Sequence, residues 1–546
     1  MSDNFKEEST KAAQGIAIAG AIMFISQFAS KFLGLARDSI ITAKFGINDI
    51  NDAYRQAFML PNVLFFLISG GALSSAFIPI FSEYWHKNKR DEAWRLFSVV
   101  ASNIILILTV LMAAVWIFAE PLYANVLAKG QDPALMPMIV EMSRILLPAQ
   151  FSFFIGGMLL GTLYTQKVFA IPGLAPNIYN IGIILGAVVI GNYVEPGIKG
   201  ACYGATAGAF IGNLLIPYIF AKKSGLKFKF EVNFKHEGAV KVFKLMLPVI
   251  LGLSLPAVFD LISQSLASPY PGGTNAILTN SNQLMQAPLG LFGQSLGLAI
   301  FPVLTKFFSD GRMDLFRDQV QKTLRTVIYL AIPTSVMMAV MADQISAAFF
   351  LHGEATPEKV AQIAVCLRFL CIGIWAWCMH PILMRAYYSI QNSVTPVVIG
   401  TATTGVFYVL ARIFMTTPLG YKGLPLAGSI APMLMVGGML YFLSGRIGGF
   451  DYKGLLKTLG KSAVASLAVV AVTGLISWTP ISTYLLGRAL PTIGALMVSF
   501  CVAIAAYHKL SKFMGMPETE YMDRAMARMP WNKKPAAPAT GEPPIE

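Results

Sequence analysis

Charge is scarce in this sequence. Asp, Glu, Lys and Arg make up 13% of its 546 residues, where a soluble domain carries about a quarter, and that shortfall excludes an ordinary water-soluble enzyme. Cysteine is scarce too: Cys202, Cys366, Cys371, Cys378 and Cys501 lie in or beside apolar stretches without CxxC spacing, so neither a disulfide framework nor a metal site is expected. The five histidines, His86, His236, His352, His380 and His508, are scattered and have no partner at metal-ligand spacing. A Walker P-loop is absent, which excludes nucleotide hydrolysis within the chain as a source of energy. No catalytic group and no cofactor is expected. Acids are also outnumbered, 28 against 42 Lys and Arg, but no basic run is long enough to track a nucleic acid. In a membrane protein the same excess reports basic cytoplasmic loops and contact with anionic membrane lipid.

Long apolar runs are what the sequence has in abundance. Hydrophobic residues account for 55% of it, and at about 20 apolar residues per bilayer crossing the runs and polar breaks predict fourteen helices. They fall near 13–36, 56–82, 96–119, 136–163, 169–193, 200–221, 241–267, 276–305, 326–350, 360–384, 394–415, 423–445, 458–479 and 484–508. The runs are continuous rather than alternating, which points to helices and not to a barrel. The expected fold is therefore an all-α polytopic membrane protein. Residues 1–12 are polar and lack the pattern of a cleaved signal, so the first span is expected to be retained. Loops after even-numbered helices hold 22 Lys and Arg, and loops after odd-numbered ones hold nine; by the positive-inside rule both termini are expected in the cytoplasm.

The halves of the chain resemble each other. Ala76-Phe77-Ile78-Pro79 returns as Ala299-Ile300-Phe301-Pro302, an offset of 223 residues, and each is followed by a charged stretch. An even number of helices per repeat keeps both repeats in one orientation, which predicts two pseudo-symmetric six-helix lobes. The expected division is a cytoplasmic N-terminus at 1–12, an N-terminal lobe at 13–221, a cytoplasmic linker at 222–240, a C-terminal lobe at 241–445, two additional helices at 446–510, and a disordered tail at 511–546. Gly204, Gly208 and Gly212 form a stripe that lets one helix approach a neighbour closely. The stretch 227–234 alternates Lys and Phe; it reads either as a segment on the inner membrane surface or as a solvated linker.

Ions placed where hydrocarbon should be are the candidate functional residues, because an intramembrane charge is costly unless it faces a cavity or a partner. Lys31 and Arg37, near the end of the first helix, are about 9 Å apart along the axis and about 120° apart around it. They line either a broad cavity or, with Asp38, simply the membrane interface.

The same segment carries a family resemblance. Ser30-Lys31-Phe32-Leu33-Gly34-Leu35-Ala36-Arg37-Asp38, then Phe45-Gly46, Asp52-Ala53-Tyr54 and Ala57-Phe58-Met59-Leu60-Pro61-Asn62 closely resemble the start of the MurJ (MviN) family of lipid II flippases. That family lies within the multidrug/oligosaccharidyl-lipid/polysaccharide exporter superfamily. The likeness continues through residues 71–80 and again from Pro288 to Pro302, and order and spacing agree over roughly residues 15–510. The resemblance implies two lobes around a central cavity and two C-terminal helices that form a groove for a lipid tail. It implies no enzyme but alternating-access export of the undecaprenyl-pyrophosphate-linked peptidoglycan precursor across the bacterial cytoplasmic membrane, for cell-wall synthesis. Arg37 stands at a family Arg, Lys31 where Arg is usual, and Asp38 and Asp52 at acidic positions.

Elsewhere the sequence departs from that pattern. Phe65-Phe66 stand where the family has Arg-Arg, and Gly70 where Glu is usual. An Asp-Arg-Leu-Met-Glu pattern is replaced by Asn282-Gln283-Leu284-Met285-Gln286. The substrate-binding set expected from the resemblance is thus Arg37, Lys31, Asp38, Asp52, Gln283 and Asn282, with both charge signs lost together at the departures. Asp260, a lone acid in the seventh helix, is a candidate for a cation, because a sodium site occurs in some relatives. Two rivals stay open: an exporter of another polyprenyl-linked glycan, and a non-transporting scaffold that binds cell-wall synthesis proteins.

Overall fold

A computed structural model describes residues 26, 29–68, 72–166, 168, 170–253, 255–477, 489–520 and 522–523. Among them there is helix and connecting loop but no strand, as apolar runs require when no water is available to satisfy a sheet edge. Ten of the described helices are long and apolar enough to cross a bilayer, from Arg90–Leu127 to Pro491–Phe513. Pro357–Cys371 and Ile374–Ser389, bent by 52° across a short break, make an eleventh if taken as one broken span. These eleven coincide with eleven of the fourteen expected spans. The other three, 13–36, 56–82 and 241–267, include residues outside the described set. Their described parts are a helix over 29–45, helices Met59–Ile68 and Ala72–His86, and helices Glu237–Leu253 and Leu255–Ala267.

The glycine stripe works as the sequence predicts. Helices Ala170–Val188 and Lys199–Ala209 meet through Gly182 and Gly186 on one side and Gly200, Gly204 and Gly208 on the other. A Cβ on Gly182 would lie 2.6 Å from the Gly204 carbonyl oxygen, and one on Gly186 2.6 Å from Gly204 Cα, so backbone packs on backbone and no side chain fits between.

The helix over 29–45 is a seam. On one side Asn177 Nδ2 donates to the Ser26 hydroxyl at 2.9 Å and Asn180 Nδ2 to the Ser30 hydroxyl at 3.4 Å. On the other, Leu35 joins a core cluster built mainly from residues beyond 276. Helix Glu237–Leu253 crosses the expected lobe boundary in the opposite sense: Ala239, Val242 and Met246 are buried against Phe77, Leu96 and Phe97 of the first half. At the C-terminus, helix Tyr452–Ser477 packs against Met313–Val340 and Ala489–Phe513. The Tyr507 hydroxyl donates to the Tyr329 carbonyl at 2.9 Å. The tail expected to be disordered from 511 begins as packed chain, with Met516 and Glu518 buried and the Thr458 hydroxyl donating to Glu518 at 2.7 Å. The apolar Met516 and this buried partner hold a segment whose composition alone reads as solvated. Residues 524–546 lie outside the described set.

Candidate functional site

Five residues from three distant parts of the chain form a cluster with Asp38 at its centre. Arg37 grips it with its fork, Nε to Oδ1 at 3.1 Å and Nη2 to Oδ2 at 3.1 Å, and its third donor, Nη1, reaches Asn180 Oδ1 at 3.0 Å. Arg55, from the short helix Asp49–Ala57, donates Nη1 to the same Asp38 Oδ1 at 2.8 Å and Nη2 to Asn280 Oδ1 at 3.2 Å. Asn280 in turn donates to the Thr42 hydroxyl at 3.0 Å. The Asp38 side chain is fully buried and that of Arg55 is 8% exposed, whereas the Arg37 side chain keeps 21% of its surface. Two cations thus share one buried anion, an arrangement that satisfies the carboxylate through charge-assisted hydrogen bonds and leaves a net positive charge on the partly open member.

Arg55 was not among the residues expected from the sequence; it counted only as one basic residue of an outer loop. The sequence carries no clear signal for it: only the structure shows that Arg55 is the sole cation of a helix whose residues 51–57 are all buried, where a buried arginine needs a buried acid.

The other expected residues separate. Asp52 does not join Arg37; it accepts the backbone N–H of Ala276 at 2.8 Å, and Asp49 accepts that of Gly272 at 2.5 Å. Together they satisfy donors at and before the start of helix Thr274–Pro288 that the helix cannot pair itself. Lys31 and Gln283 line a different, largely apolar cavity of about 230 Å³ with Leu35, Pro288, Met338 and Phe500. Helix 29–45 passes close to it at Gly34, where a Cβ would sit 3.1 Å from Gln283 Nε2. Asn282, one residue along and therefore on another face, lines a third space of about 110 Å³ with Asp260, Gln264 and Trp377. There Asn282 Nδ2 donates to Asp260 Oδ1 at 3.3 Å, and Gln264 Oε1 is buried with no hydrogen-bond partner among the described residues. Phe65, where the resemblance expects a cation, is set edge-on against Phe153 at 5.7 Å and lines a cavity of about 160 Å³ with Asn62, Gln150 and Tyr179. Phe66 side-chain placement and Gly70 fall outside what is described.

Hydrogen bonds between the halves gather at the end of the bundle that bears the loops after odd-numbered spans. Besides those of Asp49 and Asp52, the Ser265 hydroxyl donates to the Val126 carbonyl at 3.2 Å, the Ser268 hydroxyl to that of Lys129 at 3.1 Å, and the Glu354 N–H to that of Ala43 at 2.8 Å. The Asp38 cluster lies just inside this closed end.

A family model described as lipid II flippase MurJ matches residues 41–493. The chain is 25% identical over 507 residues to a probable lipid II flippase MurJ of Bdellovibrio bacteriovorus, spanning 92% of this chain and 96% of that protein. It is 27% identical over 521 residues to the lipid II flippase MurJ of Burkholderia cenocepacia, spanning 92% and 99%. Among solved structures, a lipid II flippase MurJ in an inward closed conformation superposes with a TM-score of 0.76 at 24% identity, over 92% of this chain and all of that one. An inward-facing multidrug resistance transporter of the MATE family and MOP superfamily superposes with a TM-score of 0.64 at 15% identity, over 79% and 96%. Both structural likenesses speak for the fold.

Proposed function

Because the chain belongs to the lipid II flippase MurJ family, we propose that it moves lipid II, the polyprenyl-pyrophosphate-linked peptidoglycan precursor, from the inner to the outer leaflet of the bacterial cytoplasmic membrane by alternating access. Both termini face the cytoplasm in this reading, the two six-helix lobes are those expected from the internal repeat, and the end closed by cross-half hydrogen bonds is the outer one. The observation that carries the proposal is the pair of cations on Asp38. A pyrophosphate that enters from below exchanges for Asp38 or Asn180 on the fork of Arg37, which suits it through planar paired donors. Arg55 stays on Asp38, so the buried carboxylate is compensated before and after the exchange. Arg55 ties residue 38 to Asn280 of the other half, so opening of the outer end requires this joint to part.

Asp260 serves in this reading as the site of a coupling cation, supported by the buried Gln264 carbonyl oxygen in the same space, which has no hydrogen-bond partner among the described residues; the Asn282 N–H that donates to Asp260 gives way to the cation. Transport by an Asp260→Asn variant at the parental rate would remove that assignment.

Purified protein in vesicles carrying labelled lipid II tests the main proposal: the label is expected to reach the opposite leaflet, and protein-dependent movement of another polyprenyl-linked glycan but not of lipid II would overturn it. The aromatic wall at Phe65, in place of a cation, is the observation that favours that second cargo. Binding of lipid II without movement would instead leave a scaffold, with cell-wall synthesis proteins as its partners.

A further inference from the structure

The segment between spans Lys199–Lys223 and Glu237–Leu253 is not a free linker. Residues 226–233 run without helix or turn along the first turns of helix Arg90–Leu122. Three side chains of that helix hold them. The backbone N–H of Lys229 donates to the Ser98 hydroxyl at 3.1 Å, that of Glu231 to the Ser102 hydroxyl at 3.0 Å, and that of Asn233 to Asn103 Oδ1 at 2.9 Å; Asn103 Nδ2 returns a bond to the Asn233 carbonyl at 3.0 Å. Ser98, Ser102 and Asn103 are all buried, so the helix devotes three otherwise costly polar groups to this contact.

From residue 228 on, the zipper sorts the strap by parity. Odd residues give their N–H groups to the helix, and the even ones carry the apolar side chains outward: Phe228, Phe230, Val232 and Phe234 are 44%, 62%, 42% and 48% exposed, whereas Leu226 at the start of the strap is buried. The axial position follows from the helix. Asn103 lies three residues, about 4.5 Å of helix axis, before Leu106, where the exposed apolar face of the span begins. Phe234 is therefore level with the start of that exposed apolar face, and Phe228, beside Ser98, about 7.5 Å further from it. Charge agrees: residues 222–244 hold seven Lys and two Glu. Of those two, Glu231 is held below the usual carboxylate range by its hydrogen bond to Arg95, at 2.8 Å.

We propose that residues 226–234 are an interfacial strap whose aromatic edge sits in the headgroup region of the bilayer while its lysines bind anionic phospholipid. The proposal rests on the cytoplasmic placement of this loop in the preceding reading, and it needs no property of the cargo. Interfacial segments combine apolar burial with attraction of basic side chains to anionic headgroups in this way.

Nitroxide labels on single cysteines at positions 230, 232, 234 and 235, placed one at a time in full-length protein with Cys501→Ser, test it in vesicles of phosphatidylcholine and in equimolar phosphatidylcholine and phosphatidylglycerol. Relaxation by oxygen is expected to exceed relaxation by a water-soluble nickel chelate at 230, 232 and 234, with the reverse order at 235, and the contrast is expected to be larger with phosphatidylglycerol and to shrink in high salt. Nickel accessibility at 230 and 234 equal to that at 235 would overturn the interfacial strap. Equal contrast in the two lipid mixtures would overturn the anionic contact. Should one labelled variant fail to fold, the remaining two report the same edge. Lipid II movement is read in the same vesicles, so a strap found in water beside intact transport fails alone, and lost transport beside a strap found in lipid counts against the flippase reading alone.

Discussion

Arg37 carries the predictions that belong to single residues. Each of its three guanidinium nitrogens donates a hydrogen bond, two to Asp38 and one to Asn180. Arg37→Lys keeps the charge but loses the paired geometry, so transport should fall by about tenfold or more, the worth of one or two charge-assisted hydrogen bonds. Arg37→Ala should abolish transport and still fold, because Asp38 keeps Arg55. Lys31→Arg should be tolerated, since Lys31 is exposed beside an apolar cavity where a longer cation has room. A leaflet assay with checks of membrane insertion decides these; parental flipping by inserted Arg37→Ala protein would end the assignment. Phe65→Arg is expected to lower folded yield or transport, because it gives up ring contacts with Phe153 and Phe154 and sets a cation in a cavity that no acid lines among the described residues. Full activity of that variant would mean that this wall does not bear on cargo.

At the scale of elements, the glycine-packed pair Ala170–Val188 and Lys199–Ala209 is the joint least able to accept change. Gly186→Ala forces a Cβ into the Gly204 backbone and should cost about 1–3 kcal/mol, as overpacking does, read as a lower midpoint of thermal unfolding in detergent. Gly405→Ala supplies the control: nothing lies within 4 Å of the added carbon, and in a helix interior alanine should gain about 0.5–1 kcal/mol. Equal midpoints for the two variants would contradict the close helix contact. Helix Thr274–Pro288 shows how one element serves several sites. Its first turn rests on Asp52, Asn280 faces the Asp38 cluster, and Asn282 and Gln283 point into separate cavities, since consecutive residues differ by about 100° around the axis.

The whole molecule makes two further predictions. Single cysteines near Lys89, Ser224 and Asp451 should react with impermeant reagents only from the cytoplasm, and those near Asn48 and Pro271 only from outside; labelling of Asn48 from inside alone would reverse the orientation. A Val126→Cys, Ser265→Cys pair joins the halves where the Ser265 hydroxyl meets the Val126 carbonyl. A short bifunctional thiol reagent should arrest transport there, with recovery on reduction, in a Cys501→Ser background. Cross-linked protein that transports at the unlinked rate would show that the closed end does not open in the cycle.

Sequence by itself determined the helical membrane fold, most of the spans, the close packing of Gly204 and Gly208, and the presence of charges, Arg37 and Asp38, that need partners. Each of these rests on local quantities: the length of apolar runs, the size of a side chain, the cost of a charge in hydrocarbon. Tertiary structure alone decided which residues meet. Arg55 reaches Asp38 from 17 positions away and Asn280 from 225, Asp52 turns to a helix start in the other half, and Lys31 and Asn282 line two separate cavities away from the Arg37 cluster. A residue's face is fixed by its helix, but its partner is fixed by where a second helix passes, and no period in the sequence encodes that distance. The strap over 226–233 makes the same point: its alternation was legible, whereas its attachment to the helix through the buried Ser98, Ser102 and Asn103 was not.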